Sequence, residues 1–387
     1  MDREKKDDGG KDCGGGSSSC SESQSKIQNN KSSGSLPEDV MFNILTRLPA
    51  DWLHNSARFT CKSWAAMIHR SDFIQTHLLR AKPGIFLQST RHPYGAHFLE
   101  VKDNGEYGVT ALRLRFPGRY LNSCDGLILF SQKDTVELHI VNPVTMQTLN
   151  VPKVLSSNLD CPPVAIVRVP HTGKFKLFAS LVQTQSEVCY SHWHVLRLGK
   201  DTSWTRFASE PGDFEFRCTP IYCGGNDLYW ITQDHVIVMD VDKETFRKYL
   251  LPRKHHEWCT QFFKIENRLA SIVFLGAKGY KIHIFDADSG KWRLYHQMGI
   301  LDDYYNYPRD DDAEEATNFS ESFGVWINQE LIFKLIIDPP LKASLYSYNV
   351  ETCEAREIDV IPEGLFNGAF EEGSFDFGLH TISLMSW

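Results

Sequence analysis

The stretch Leu36-Pro37-Glu38-Asp39-Val40-Met41-Phe42-Asn43-Ile44-Leu45-Thr46-Arg47-Leu48-Pro49, followed by Cys61-Lys62-Ser63-Trp64-Ala65-Ala66-Met67-Ile68, decides the architecture, because helical periodicity appears here and fades soon after. Val40, Met41, Ile44, Leu45 and Leu48 recur at helical spacing. Ser35 and Glu38 have capping-box spacing, with Pro37 tolerated in the first turn, and Pro49 is expected to end the helix. Trp52, Leu53, Ala57 and Phe59 continue an apolar pattern, and Cys61, Trp64, Met67 and Ile68 form the next helical face. Ser71-Asp72 reads as the cap of a last helix carrying Phe73, Ile74, Leu78 and Leu79, stopped by Pro83-Gly84. A helical unit this small cannot bury a core of its own. Its apolar excess is expected to face a partner; the plainer alternative is that it packs only on the rest of the chain.

Outward from this unit the composition changes on both sides. Residues 1–34 are rich in Gly, Ser, Asn, Asp and Lys, with Ile27 as the one large aliphatic side chain beyond Met1, so a disordered tail is expected. The helical module is assigned to residues 35–82 and a large all-β domain to 83–387. In that domain, short apolar runs alternate with turn residues: Ile85-Phe86-Leu87, Leu127-Ile128-Leu129-Phe130, Phe175-Lys176-Leu177-Phe178, Val236-Ile237-Val238-Met239 and Leu269-Ala270-Ser271-Ile272-Val273-Phe274. A unit also repeats: an apolar strand, then Asp or Asn, a polar turn, and a second strand. It occurs around Asn142, Asp240, Asp286 and Asn349, with a weaker copy from Leu196 to Trp204. The acidic or amide side chain can fold back on the turn amides. Copies lie roughly 40–60 residues apart, the period of four-stranded blades, which predicts a β-propeller of about six blades; the alternative is a β-sandwich.

Composition narrows the function. The net charge of −8 argues against non-specific nucleic-acid binding, and no apolar run is long enough for a membrane span or a signal peptide. Ten scattered cysteines without a Cys-x-x-Cys pair suggest free thiols in a reducing compartment, so a cytoplasmic or nuclear location is expected.

The helical residues resemble an F-box: Leu36-Pro37-x-Asp39, Ile44-Leu45-x-Arg47-Leu48-Pro49, Leu53, Cys61-Lys62-Ser63-Trp64 and Phe73. The β region resembles the F-box-associated, kelch-like interaction domain of plant F-box proteins through Ser123-Cys124-Asp125-Gly126-Leu127-Ile128-Leu129, Val141-Asn142-Pro143-x-Thr145 and His380-Thr381-Ile382-Ser383-Leu384-Met385-Ser386. The resemblance implies a substrate receptor of an SCF (Skp–cullin–F-box) ubiquitin ligase; the alternatives are an adaptor-binding interaction protein without a role in degradation, or a glycan-binding or enzymatic propeller. It implies a Skp-type adaptor, and through it a cullin, docking on Leu36, Pro37, Ile44, Leu45, Leu48, Pro49, Leu53, Cys61 and Trp64, while the β domain holds a target protein.

Catalytic and cofactor sites find no support: there is no Gly-x-Ser-x-Gly, phosphate-binding glycine loop or His-Glu-x-x-His. A non-catalytic subunit without cofactor or metal is expected. His192 and His194 with Cys189, and His255-His256 with Cys259, lack the matched spacing of zinc ligands. Trp193, Trp204, Trp230, Trp258, Trp292 and Trp326 read as packing anchors between blades. A candidate target-binding segment is Asp302, Asp303, Tyr304, Tyr305, Tyr307, Asp310, Asp311 and Asp312, where acids beside tyrosines could clamp a basic partner; the plainer alternative is a solvated insertion.

Overall fold

The structure, a computed structural model, describes residues 36–387 apart from 90–94, 103, 113–115, 133–134, 136, 155–161, 186–187, 213, 253–259, 276–278, 300–317, 339–341 and 361–374. Two units, 1–41 and 42–387, are distinguished by their contacts. The acidic segment 302–312, Trp258 and the His255-His256-Cys259 cluster lie outside the described residues.

Among the described residues, four α-helices and a 3-10 turn come first: α1 (Glu38–Leu45), α2 (Ala50–Asn55), the turn Ala57–Phe59, α3 (Lys62–Ile68) and α4 (Ser71–Arg80). α1 stops before Pro49 rather than at it. The residue preceding a proline is disfavoured in the helical region, and the chain tightens through Arg47 N–H to Ile44 O (3.1 Å) and Leu48 N–H to Leu45 O (3.1 Å). Pro49 instead occupies the cap position of α2. The cap of α4 is Arg70, one residue earlier than expected; the Asp72 carboxylate still accepts from Phe73 N–H (2.9 Å).

The remaining strands form six four-stranded antiparallel sheets. Blade 1 holds β1 (Pro83–Ser89), β2 (Ala96–Val101) and β3 (Tyr107–Leu112). Blade 2 is β4 (Arg119–Cys124), β5 (Leu127–Ser131), β6 (Leu138–Asn142) and β7 (Gln147–Val151). Blade 3 is β8 (Val164–Arg168), β9 (Phe175–Gln185), β10 (Val188–Arg197) and β11 (Thr205–Pro211). Blade 4 is β12 (Ile221–Tyr222), β13 (Asp227–Ile231), β14 (His235–Asp240) and β15 (Thr245–Leu250). Blade 5 is β16 (Gln261–Ile265), β17 (Arg268–Phe274), β18 (Tyr280–Asp286) and β19 (Lys291–Met298). Blade 6 is β20 (Asn318–Ile327), β21 (Glu330–Asp338), β22 (Lys342–Asn349) and β23 (Glu354–Glu357). The last strand, β24 (Phe375–Thr381), returns to pair with β1 in register Ile85↔Leu379 and completes blade 1. The inner strands β4, β8, β12, β16, β20 and β24 neighbour one another in a closed ring, so the six sheets make a propeller.

The apolar runs of the sequence are the middle strands of the blades. Four of the five quoted lie in the second strand and one, Val236–Met239, in the third. These strands are covered on both faces by neighbouring blades, so β5 is buried at every position, whereas the outer strand β15 alternates and is largely exposed. Each of the six interfaces between blades carries its own apolar cluster. Trp193 and Trp230 meet edge to face at 4.7 Å between blades 3 and 4, and Trp204 donates Nε1–H to Pro152 O (2.7 Å) between blades 3 and 2. Trp292 and Trp326 pack at the 4–5 and 5–6 interfaces.

The repeated Asn/Asp unit is the turn between the third and fourth strands. Asn142, Asp240, Asp286 and Asn349 each accept from the two following turn amides, at 2.7–3.4 Å. Four residues on, Met146, Glu244, Gly290 and Cys353 return an N–H to the carbonyl of that Asn or Asp with positive φ of 58–66°. Only one of the four is glycine. At Gly290 a side chain would also run into the ring of Tyr249 of the preceding blade, whose hydroxyl donates to Ala287 O (2.8 Å).

Candidate functional site

The helices in unit 42–387 close on a small core of Leu45, Ala50, Leu53, Ala57, Met67, Ile68 and Phe73. Phe42 meets Phe73 edge to face at 5.4 Å. His77 lies parallel to Phe73 and donates Nε2–H to Leu48 O (2.9 Å), which requires the Nε2–H tautomer; burial holds its pKa below the usual imidazole range. Arg80 reaches back to the end of α1, with Nη2 on Asn43 Oδ1 (3.1 Å) and Nη1 on the Thr46 hydroxyl. Cys61 caps α3: its sulfur accepts from Trp64 N–H at 3.5 Å, a local reason for the Cys-x-x-Trp spacing.

The residues named as adaptor contacts separate into two groups. Leu36 (55% exposed), Ile44 (48%), Pro37, Pro49 and Cys61 are at the surface, and Leu48 and Trp64 are half-buried. Leu45 and Leu53 are buried at 1% and 0% exposure, inside the core of the module. Sequence periodicity did not separate these groups. It also missed the exposure of Trp52, Phe59 and Leu79. Leu79 sits one position off the Phe73–Ile74–His77–Leu78 face, and Phe59 (70% exposed) stands in a single 3-10 turn where helical phase is undefined.

Ile74 and Leu78 of α4 pack against the cluster between blades 2 and 3, beside Leu121, Tyr222 and the C-terminal Met385 and Trp387. Here the three quoted β-domain motifs converge. Ser123 Oγ–H donates to Leu379 O (2.7 Å), and Ser383 Oγ–H donates to Asp125 O (2.8 Å). A side chain at Gly126, whose φ is +92°, would collide with Ser383 Oγ. Asn142 uses both ends of its amide: Oδ1 holds its own turn, while Nδ2 donates to Ser383 O (3.1 Å) and Met385 O (2.6 Å). The C-terminal segment is thereby fastened to blade 2 next to α4.

On the same side of the propeller, the ends of five inner strands and the turns that follow them surround a pocket of about 310 Å³. Its lining includes Asp125, Arg168, Tyr222, Lys264, Asn267 and Thr381. Arg168 donates Nε–H to Gly173 O (3.1 Å) and faces Asp125 Oδ2 with Nη1 (3.4 Å). Tyr222 donates its hydroxyl to Arg168 O (2.6 Å). Burial pushes the thiol of Cys223 up to about 12 and that of Cys124 well above its usual value, so both stay protonated and neutral. Among the described residues no group of three His, Cys, Asp or Glu side chains is arranged to hold a metal. His192 is paired with the Ser209 hydroxyl at 2.9 Å.

Residues 33–80 match the F-box-like family, and residues 99–304 match the KIB1-4 beta-propeller family. Among curated proteins of Arabidopsis thaliana, a putative F-box protein is 26% identical over 56% of this chain and 60% of its own length. An F-box/LRR-repeat/kelch-repeat protein is 25% identical over the same shares, and a protein named peroxiredoxin-2A is 22% identical over 68% of this chain and 54% of its own. The chain thus spans between about half and three-fifths of the length of these relatives. An F-box-like helical module followed by six blades with the KIB1-4 match over more than half of the residues leaves one placement: the chain belongs to the plant F-box proteins with a KIB1-4 β-propeller.

Proposed function

We propose that this protein is a non-catalytic substrate receptor of an SCF-type ubiquitin ligase. The helical module docks on a Skp-type adaptor, and the propeller holds a target protein. The observation that carries this reading is the exposure of Leu36 and Ile44 on a module that matches the F-box-like family. Large aliphatic side chains in water are a cost that a partner removes, on the order of 1.5–3 kcal/mol each when fully covered. Leu36, Pro37, Ile44, Pro49 and Cys61, with the half-buried Leu48 and Trp64, would make the contact, while Leu45 and Leu53 would shape it from beneath. The protein would contribute proximity between target lysines and a charged ubiquitin-conjugating enzyme rather than bond chemistry. The acid- and tyrosine-rich segment 302–312 remains our candidate for a basic target.

The test is co-purification of the full chain with a Skp-type adaptor, before and after Leu36→Ala with Pro37→Ala. Capture that falls with the double variant, together with a bound protein that accumulates on proteasome inhibition, supports the reading. A chain that never retains the adaptor removes it. Target capture that survives replacing the acids of 302–312 by Ser removes the role given to that segment.

A further inference from the structure

The pocket among the inner-strand turns has a chemistry that adaptor docking does not use. It brings two cations, Arg168 and Lys264, to one small cavity in a chain whose net charge is −8. Lys264 projects from β16, half-buried, and meets no carboxylate among the described residues. Arg168 is held in place by Gly173 O, but its Nη2 makes no hydrogen bond among the described residues, and its carboxylate neighbour Asp125 stands at a loose 3.4 Å. The carboxamide of Asn267 lies beside Gly224 and is likewise free of a hydrogen-bond partner among the described residues. The neighbouring thiols of Cys124 and Cys223 are neutral and repel no anion.

We propose that this pocket binds a small oxyanion-bearing metabolite, a phosphate or carboxylate, held by the Lys264 ammonium and the free edge of the Arg168 guanidinium and steadied by Asn267. Ammonium and guanidinium donors to an anion form the strong, charge-assisted class of hydrogen bond. Placed in a concave site, they also focus the local field toward an anion. A volume of about 310 Å³ is at the small end for ligand pockets and suits a compact metabolite rather than an extended peptide. Asp125 is a built-in competitor: its carboxylate, 3.4 Å from Nη1, takes part of the Arg168 charge. The inference does not depend on adaptor docking, since no pocket residue belongs to the helical module.

The test is calorimetry and thermal unfolding of the full chain with inorganic phosphate, pyrophosphate and citrate at low and physiological salt. At least one probe is expected to bind at one site, more tightly at low salt. Lys264→Met is expected to leave the ligand-free melting temperature unchanged, because this lysine pairs with no carboxylate among the described residues, and to weaken binding tenfold or more, the size of one charge-assisted hydrogen bond. Asp125→Asn keeps a residue tolerant of the positive φ of 49° and is expected to tighten binding by releasing Arg168. Response to the phosphates alone or to citrate alone assigns the source of the oxyanion, and either supports the site. Absence of binding by all three probes, or equal binding to wild type and Lys264→Met, overturns it. Adaptor capture by the same variants stays as in wild type, which separates failure here from failure of the receptor reading.

Discussion

The helical module and the propeller solve the same problem of apolar side chains in opposite ways. In the propeller every blade is covered by two neighbours, and large residues such as Trp193, Trp230, Phe178 and Phe333 are all but inaccessible. In the module, Leu36, Ile44, Trp52, Phe59 and Leu79 stay at the surface although seven others make a core. The propeller buries its large apolar residues between blades, and the module leaves several of its own at the surface. A substitution at a propeller interface should therefore be read out as stability, and one at an exposed module residue as binding.

The largest stability effect is expected at the joint between blades 3 and 4. Trp193→Ala removes a ring that touches Trp230, Phe216 and Phe246, and should cost about 3–5 kcal/mol in urea unfolding. Adaptor capture per folded molecule should not change; if it falls in step with stability, the two regions are not separable. The converse is Ile44→Glu with Leu36→Glu, which places charge where a partner would cover aliphatic surface. Adaptor affinity should drop about a hundredfold while stability moves by only about 0.5–1 kcal/mol, whereas Leu53→Ala, inside the module, should lose about 2–5 kcal/mol of stability.

The same contrast explains what could be read in the sequence. The repeated Asn/Asp turn was legible because everything it needs lies within five residues: a side-chain acceptor, two amides and a positive φ. The blade period followed from it. The closing pair β24–β1 joins residues almost 300 positions apart, and no local pattern announces it. Asn142 looked like its three counterparts; that its other amide end holds Ser383 and Met385 appears only when the chain terminus is in place. Arg168 and Lys264 lie on different blades and form no motif, so the pocket could not be anticipated. In the module, helices of six to ten residues are too short for periodicity to tell a core face from a docking face, which is why Leu45 and Leu53 were grouped with Ile44.

Asn142 and Asn349 sharpen the comparison within the propeller. Asn349→Ala removes two turn bonds at an exposed loop and should cost about 1 kcal/mol, whereas Asn142→Ala also abandons two buried carbonyls of the C-terminal segment and should cost about 2–4 kcal/mol. The larger loss should come with faster proteolysis at the C-terminus; equal losses would dissolve the clamp. A comparable effect is expected from His380, packed between Phe86 and Phe98 with both ring nitrogens unpartnered among the described residues. Burial lowers its pKa from 6.5 to about 3. The unfolded chain therefore binds the proton first on acidification, and stability falls between pH 6.5 and about 3, by at most about 1.4 kcal/mol per pH unit from this group. His380→Leu should flatten that part of the profile relative to wild type, and an unchanged slope would place the acid sensitivity elsewhere.

The smallest effect tests the repeat itself. Gly290 already meets the positive φ of its turn without strain, while Met146 and Cys353 adopt φ of 60° and 59° as ordinary L residues. A left-handed backbone costs a residue with a Cβ about 1–2 kcal/mol, of which the greater flexibility of an unfolded glycine takes part back. Met146 is half exposed and makes no side-chain hydrogen bond among the described residues, so little packing is lost at that site. Met146→Gly should raise stability by about 0.5–1 kcal/mol in chemical unfolding. Glu244→Gly at the equivalent position should do the reverse, because that carboxylate holds Lys176 (2.9 Å) and Arg197 (2.7 Å) of blade 3. Four turns of one geometry would then respond according to what each side chain does beyond the turn, and equal responses at Met146 and Glu244 would show that the cross-blade ion pairs contribute nothing to the joint.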